Sequence, residues 1–134
     1  NRADYYPLEK YDGLQISYKK RNNTFYEITS ISGSKWYRND IKNCLKKKNE
    51  IKPTIENFLE SSIISKHDAT EKREHWADKT GKSFTYDTTY FFENDDQIRL
   101  DCFDWSEEIG YWDHLRITVI TYEHAKLINN GYGN

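Results

Sequence analysis

Five carboxylates lie within the sixteen residues LDCFDWSEEIGYWDHL, from Leu100 to Leu115, together with two Trp, a Tyr, a Phe and a Cys. Acids beside aromatic rings can hydrolyse glycosides: one carboxyl protonates the leaving oxygen, a second acts as base or nucleophile, and the rings stack on the sugar. Asp101 or Asp104 with Glu107 or Glu108 could supply that pair, although a chain of 134 residues offers little depth for such a cleft. Asp113 and His114, beside Thr118 and Tyr122, could form part of an acid/base site. The run HLRI lacks the polar third residue of the H-x-[ST] motif of cyclic phosphoesterases, and no second copy occurs. His67, Glu71 and His75 would share a face if residues 66–77 were helical, a spacing that could seat a metal. No HExxH accompanies them, and a polar solvated helix accounts for the same residues. Gly81-Lys82-Ser83 lacks the upstream glycine of a phosphate loop. Neither cysteine has the exposed, electropositive setting of a nucleophile. The expectation is therefore a non-enzymatic protein without cofactor or bound metal, with a small hydrolase built on Asp113 and His114 as the catalytic alternative.

Binding chemistry fits the same stretch better. Between Glu93 and Asp113 there are eight acidic residues against Arg99, whereas between Lys19 and Lys52 ten basic residues face three acidic ones. The formal net charge of -2 conceals this polarity. It also argues against a general nucleic-acid binder, which needs a net basic field. An acidic aromatic loop could dock a basic protein partner, with Trp105, Tyr111 and Trp112 as anchors and Asp104, Glu107, Glu108 and Asp113 steering the encounter. Inhibitors and immunity proteins work in this way. The competing reading lets the two charged lobes cancel side by side while the tryptophans fill the core.

The elements that must carry these groups follow from periodicity. Leu14, Ile16 and Tyr18 alternate with polar residues, and residues 24–31 (TFYEITSI) are β-branched and aromatic, so with KKRNN between them they form a hairpin. Over residues 39–49 the period changes, with Ile41, Cys44 and Leu45 on one helical face and Asn39 or Asp40 able to cap. Pro53 is expected to end this helix, and TIENFLESSII, residues 54–64, to form a second one, or else a strand. Residues 66–82 give no clear period. From Ser83 onward the period is two: strands are expected over 83–92, 97–103 and 114–122, with ENDD at 93–96 as a tight turn, making an antiparallel meander. The fold class is α+β: an antiparallel, curved or partly barrel-like sheet of five or more strands, with one or two helices packed on a face or end. Residues 1–134 form one domain, made of the N-terminal hairpin, the central helical segment and the meander. Within the meander Phe84, Tyr86, Tyr90 and Phe92 share a face and could line a pocket for a small amphipathic molecule, which would make this a ligand-binding or sensory domain.

The mean hydropathy of -1.02 is low for a folded chain, but 16 % aromatic residues supply large buried areas. No stretch approaches the roughly 20 apolar residues of a membrane span. Cys44 and Cys102 both face inward, one on the helix and one on a strand, so a disulfide between them would tie helix to sheet. That places the protein in the periplasm or among secreted proteins; two buried free thiols would place it in the cytoplasm. The chain holds no Met and starts at Asn1, which fits a processed segment preceded by a signal or anchor. Asn22-Asn23-Thr24 matches the N-x-[ST] acceptor pattern. The stretch DHLRITVITYEHAKL, residues 113–127, is similar to a strand of the B subunits of heat-labile enterotoxins, and no residue role is carried over from it.

Overall fold

Alternating apolar residues that must bury one face, and a cysteine-bearing amphipathic segment that must bury another, solve each other's problem by packing together. The computed structural model of the chain describes residues 10–69 and 72–130. Nine elements follow in order: β1 (Gly13–Lys20), β2 (Tyr26–Arg38), α1 (Ile41–Leu59), β3 (Ser65–Asp68), β4 (Arg73–Glu74), β5 (Phe84–Phe91), β6 (Gln97–Asp104), β7 (Asp113–Ile120) and α2 (Tyr122–Asn129). The strands make one open antiparallel sheet in the order β1-β2-β7-β6-β5-β3, with β4 also paired to β5. The N-terminal hairpin and the C-terminal meander form as expected, and β7 joins them by pairing with both β2 and β6.

Helix α1 lies across one face, against β6, β7 and β2. Register sets which side chains meet it: Tyr86, Cys102 and Leu115 are cross-strand neighbours, as are Thr88, Leu100 and Ile117. With Cys44, Ile55 and Tyr90 the apolar members of these rows build the core, and Thr88 is fully buried as well. Cys44 and Cys102 are fully buried and joined by a disulfide, with Cα atoms 6.1 Å apart. Lys48, buried on the same helix, donates from Nζ to the Tyr86 carbonyl at 2.7 Å.

The helix differs from its sequence expectation. Asp40 caps it, accepting from the Asn43 amide at 3.2 Å, but Pro53 lies inside it and the helix runs on to Leu59. A proline in a helix interior costs about 3 kcal/mol through the lost amide bond and the ring clash. Here Cys44 on one side of Pro53 and Ile55 and Leu59 on the other pack on the same core, and that burial offsets the cost. Residues 54–59 are thus the last turns of α1; the chain turns over after them and Ile64 donates its amide to the Phe91 carbonyl at 2.9 Å on the way into β3.

The unassigned stretch after it holds β3 and β4, two short edge strands on β5. The described residues between 66 and 77 therefore form no helix: His67 sits in β3 and His75 just beyond β4, while Glu71 lies outside the described residues. The expected strand 114–122 ends at Ile120, because the Thr121 hydroxyl accepts from the His124 amide at 3.3 Å and starts α2. No helix among the described residues is long and apolar enough to cross a membrane.

Candidate functional site

On the sheet face opposite α1, the register aligns Trp36 of β2 with His114 of β7, and His114 with Phe103 of β6. The His114 ring stacks on Phe103 with centroids 4.5 Å apart and meets Trp36 edge-on at 5.3 Å. The run of rings continues through His75, 5.7 Å from Phe103 and 4.4 Å from Trp105, to Trp76 on one side and to Tyr111, edge-on to Trp105 at 5.1 Å, on the other. Eight rings from three strands and two loops thus form one aromatic surface at the end of the sheet where β6 turns into β7. The eighth is Trp112, which carries the Arg38 guanidinium 5.3 Å from its ring centre.

Polar groups hold the loops that present these rings. Asp113 closes the 105–112 loop by accepting from the Trp105 amide at 2.9 Å, and Gly110 takes the left-handed conformation (φ 76°) that the turn requires. Asp78 links this loop to the one between β4 and β5. It accepts from the Thr80 amide at 2.9 Å, the Ser83 hydroxyl at 2.5 Å and the Ser106 hydroxyl at 3.2 Å, and Ser83 Oγ in turn accepts from the Ser106 amide at 2.9 Å. Hydrogen bonds to its charged form, led by those from Ser83 and Thr80, hold the Asp78 carboxyl well below the usual carboxylate range.

Between the rings opens a cleft of about 460 Å³, lined by Trp36, Trp105, Gly110, Tyr111, Trp112 and His114. Burial pushes the His114 pKa down to about 4, with Arg116 and His75 acting in the same sense and the Trp112 carbonyl against it. The ring is neutral at pH 7. Its Nδ1 lies 3.1 Å from the Trp112 carbonyl oxygen, which can only accept, so Nδ1 carries the proton and Nε2 the lone pair. Nε2 of His114 and the Nε1–H of Trp105 are both buried, and neither has a hydrogen-bond partner among the described residues. Both atoms therefore lie behind the surface of the aromatic wall, without a matched partner there.

Of the residues singled out in the sequence, Trp105, Tyr111 and Trp112 come together in this cleft; Trp105 is half-buried, and Tyr111 and Trp112 are 63 % and 51 % exposed. The carboxylates divide. Glu107 is exposed, Glu108 is exposed but paired with Lys82, and Asp104 is half-buried, its pKa raised by burial against the pull of Lys72. Asp113, expected on the partner-facing rim, is only 3 % exposed because its carboxylate is spent on the Trp105 amide. The acid/base reading of Asp113 and His114 does not assemble: neighbouring residues of a strand point to opposite faces, and His114 is oriented by a carbonyl, not a carboxylate. Thr118 is taken up by Ser32 at 2.9 Å, and Tyr122 has moved into α2. The same alternation separates Asp101 from Asp104. Burial, reinforced by Asp87 across the strand pair, raises the Asp101 pKa to about 7.

Phe84, Tyr86, Tyr90 and Phe92 lie on the face that α1 covers. Tyr90 is fully buried and donates its hydroxyl to Glu56 at 3.0 Å, Tyr86 and Phe92 pack against the core, and Phe84 lies under the Lys72 ammonium. Sequence reasoning did not link Trp36, His75, Trp76 and Phe103 to the site, since only the strand order β2-β7-β6 and the β4–β5 pairing unite them. No family model, curated protein or solved structure matches the chain.

Proposed function

We propose that this chain is a non-enzymatic binding domain of the inhibitor or immunity type, and that the aromatic cleft between the end of β2 and the 105–112 loop is its contact for another protein. The observation that carries this reading is the exposure of Trp36, Tyr111 and Trp112 around a half-buried Trp105, all held by a hydrogen-bonded frame. Tryptophan, tyrosine and arginine dominate interface hot spots because they bury large areas at little entropic cost, and Arg38 beside Trp112 completes that set. Exposed Glu107 on the 105–112 loop, beside a Glu108 already paired with Lys82, favours a partner with a basic surface. The buried Cys44–Cys102 disulfide supports a periplasmic or secreted setting, where such bonds persist.

The test is capture of the partner by the wild-type domain and by Trp36→Ala and Trp112→Ala, followed by titration with purified components. Truncating a hot-spot ring costs at least about 2 kcal/mol, or roughly 30-fold in affinity. Affinity unchanged in both variants, with the fold intact, would sink the placement. A second reading has its own observation: a cleft of this size, walled by Trp36, Trp105, Tyr111 and Trp112, lies within the range of small-molecule pockets. Tryptophan fluorescence that shifts on titration with sugars or detergents, in the absence of any captured protein, selects that reading.

A further inference from the structure

The turn between β1 and β2 carries a chemistry that the aromatic cleft does not use. Residues 21–25 close the hairpin, with the Arg21 amide donating to the Phe25 carbonyl at 3.0 Å, and Asn22, Asn23 and Thr24 at its tip are all exposed. The Asn22 side chain does not bond outward from this tip. Its Oδ1 accepts from the Thr24 amide at 3.0 Å and from the Thr24 hydroxyl at 3.1 Å, an Asx turn in which both bonds fall on the oxygen. The amide nitrogen takes part in neither. Asn22-Asn23-Thr24 is also the one place in the sequence where Asn is followed, two residues on, by Ser or Thr.

We propose that Asn22 is an acceptor for an N-linked glycan. The donor is an oligosaccharide linked through a diphosphate to a lipid. In the transfer, Nδ2 of Asn22 forms a bond to the anomeric carbon, the bond from that carbon to the diphosphate oxygen breaks, and the lipid diphosphate leaves with the electron pair. The amide nitrogen gives up one proton to the transferase. Three features of the fold suit this modification. The tip is exposed on all three residues, so a bulky polar chain meets no packed neighbour there. Its base is fixed by ion pairs from Lys19 and Arg21 to Glu123 at 2.8 and 3.2 Å and from Arg21 to Glu27, so the strands below need not shift. The Cys44–Cys102 disulfide favours passage through an oxidising compartment, the setting in which lipid-linked donors are met.

Position matters as well. The turn precedes Tyr26 at one end of β2, and the cleft residue Trp36 lies near the other end of the thirteen-residue strand. Ten residues of extended chain separate Tyr26 from Trp36 by roughly 33 Å. A glycan on Asn22 thus leaves the aromatic cleft open.

The experiment secretes the full chain from a eukaryotic cell behind a cleavable leader and reads intact mass before and after peptide amidase treatment in ¹⁸O-water, in medium and cell fractions alike. The expected result is a single glycan, with heavy oxygen incorporated at residue 22 when it is released. N22Q and T24A lose the glycan while the disulfide still forms, and T24S keeps it at reduced occupancy. Chains that carry the disulfide yet have Asn22 unmodified in both fractions overturn the proposal. So does a glycan that survives in N22Q.

Discussion

The Cys44–Cys102 bond is the most quantitative handle on this fold. The two cysteines are 58 residues apart, and in the chain-entropy model closing a loop of that length removes about 14 cal/mol/K from the unfolded chain, or about 4 kcal/mol at 25 °C. Domains of this size have roughly 5–15 kcal/mol of stability in all, so the bond accounts for a large part of it. Both sulfurs are fully buried, so reductant reaches them only when the domain opens. The comparison is therefore between oxidised protein and protein reduced in denaturant and refolded under reductant, which differ by two hydrogen atoms. Urea unfolding followed by tryptophan fluorescence is expected to give a free-energy difference of about 4 kcal/mol, and thermal unfolding a fall of roughly 12–16 °C at about 3–4 °C per kcal/mol. A difference below about 1 kcal/mol would refute the reasoning. It would mean either that the unfolded chain already holds Cys44 near Cys102, or that the reduced fold gains compensating packing under α1.

Four further outcomes are expected. Asp101 is favoured in its neutral form in the fold, its pKa raised from 3.8 to about 7, so its stabilising contribution is complete below pH 4 and is lost as the pH rises through 7; Asp101→Asn should flatten that part of the urea-midpoint profile. His114 acts in the opposite sense, since a pKa lowered from 6.5 to about 4 means stability present at neutral pH and lost as the pH falls through that window, and His114→Gln should remove this loss. In Gly33→Ala the new Cβ would lie 2.8 and 2.9 Å from the Cδ1 and Cε1 of Tyr11; a loss of about 1–2 kcal/mol is expected, and Tyr11→Ala in the same chain should relieve most of it in a double-mutant cycle. Asp113→Ala should leave the Trp105 amide without its acceptor, costing about 1–3 kcal/mol and accelerating hydrogen exchange at that amide; unchanged exchange would show that the loop is closed by other contacts.

Period-two runs carried the fold into view because β5, β6 and β7 each bury one face, so Leu100, Cys102 and Leu115 mark the inward side in the sequence itself. The facing of Cys44 and Cys102 followed from the same logic. Where burial does not alternate, the sequence is mute: Ser65–Asp68 and Arg73–Glu74 are edge strands with polar side chains, formed because β5 offers them a hydrogen-bonding edge. Pro53 misled because a local penalty was weighed without the packing on both sides of it. Helix α2 escaped because the alternation of β7 runs straight into Thr121, whose capping role shows only once the strand is seen to stop. At the site, Trp105, Tyr111 and Trp112 were visible as a cluster, but their carboxylate neighbours were not interchangeable. Asp113 bonds inward and Glu108 pairs with Lys82, distinctions that depend on which way each side chain leaves the loop.

The position of β7 between β2 and β6 also sets a timetable. Ser30 faces Ile120 across the β2–β7 pairing, so the inner edge of the N-terminal hairpin has no partner until β7 has been made. At about 5–20 residues per second, the stretch between the end of β2 and the end of β7 takes roughly 4–16 s to emerge. Throughout that interval Ile28 and Ile31 stand beside an unpaired strand edge, a setting in which chains associate with one another. The Cys44–Cys102 bond can close earlier, since Cys102 precedes the whole of β7, and it would then hold α1 over a half-built meander to await the last strand. A chain cut short before Asp113 would keep the hairpin and the β5–β6 pair as two unconnected sheets, each with an open edge.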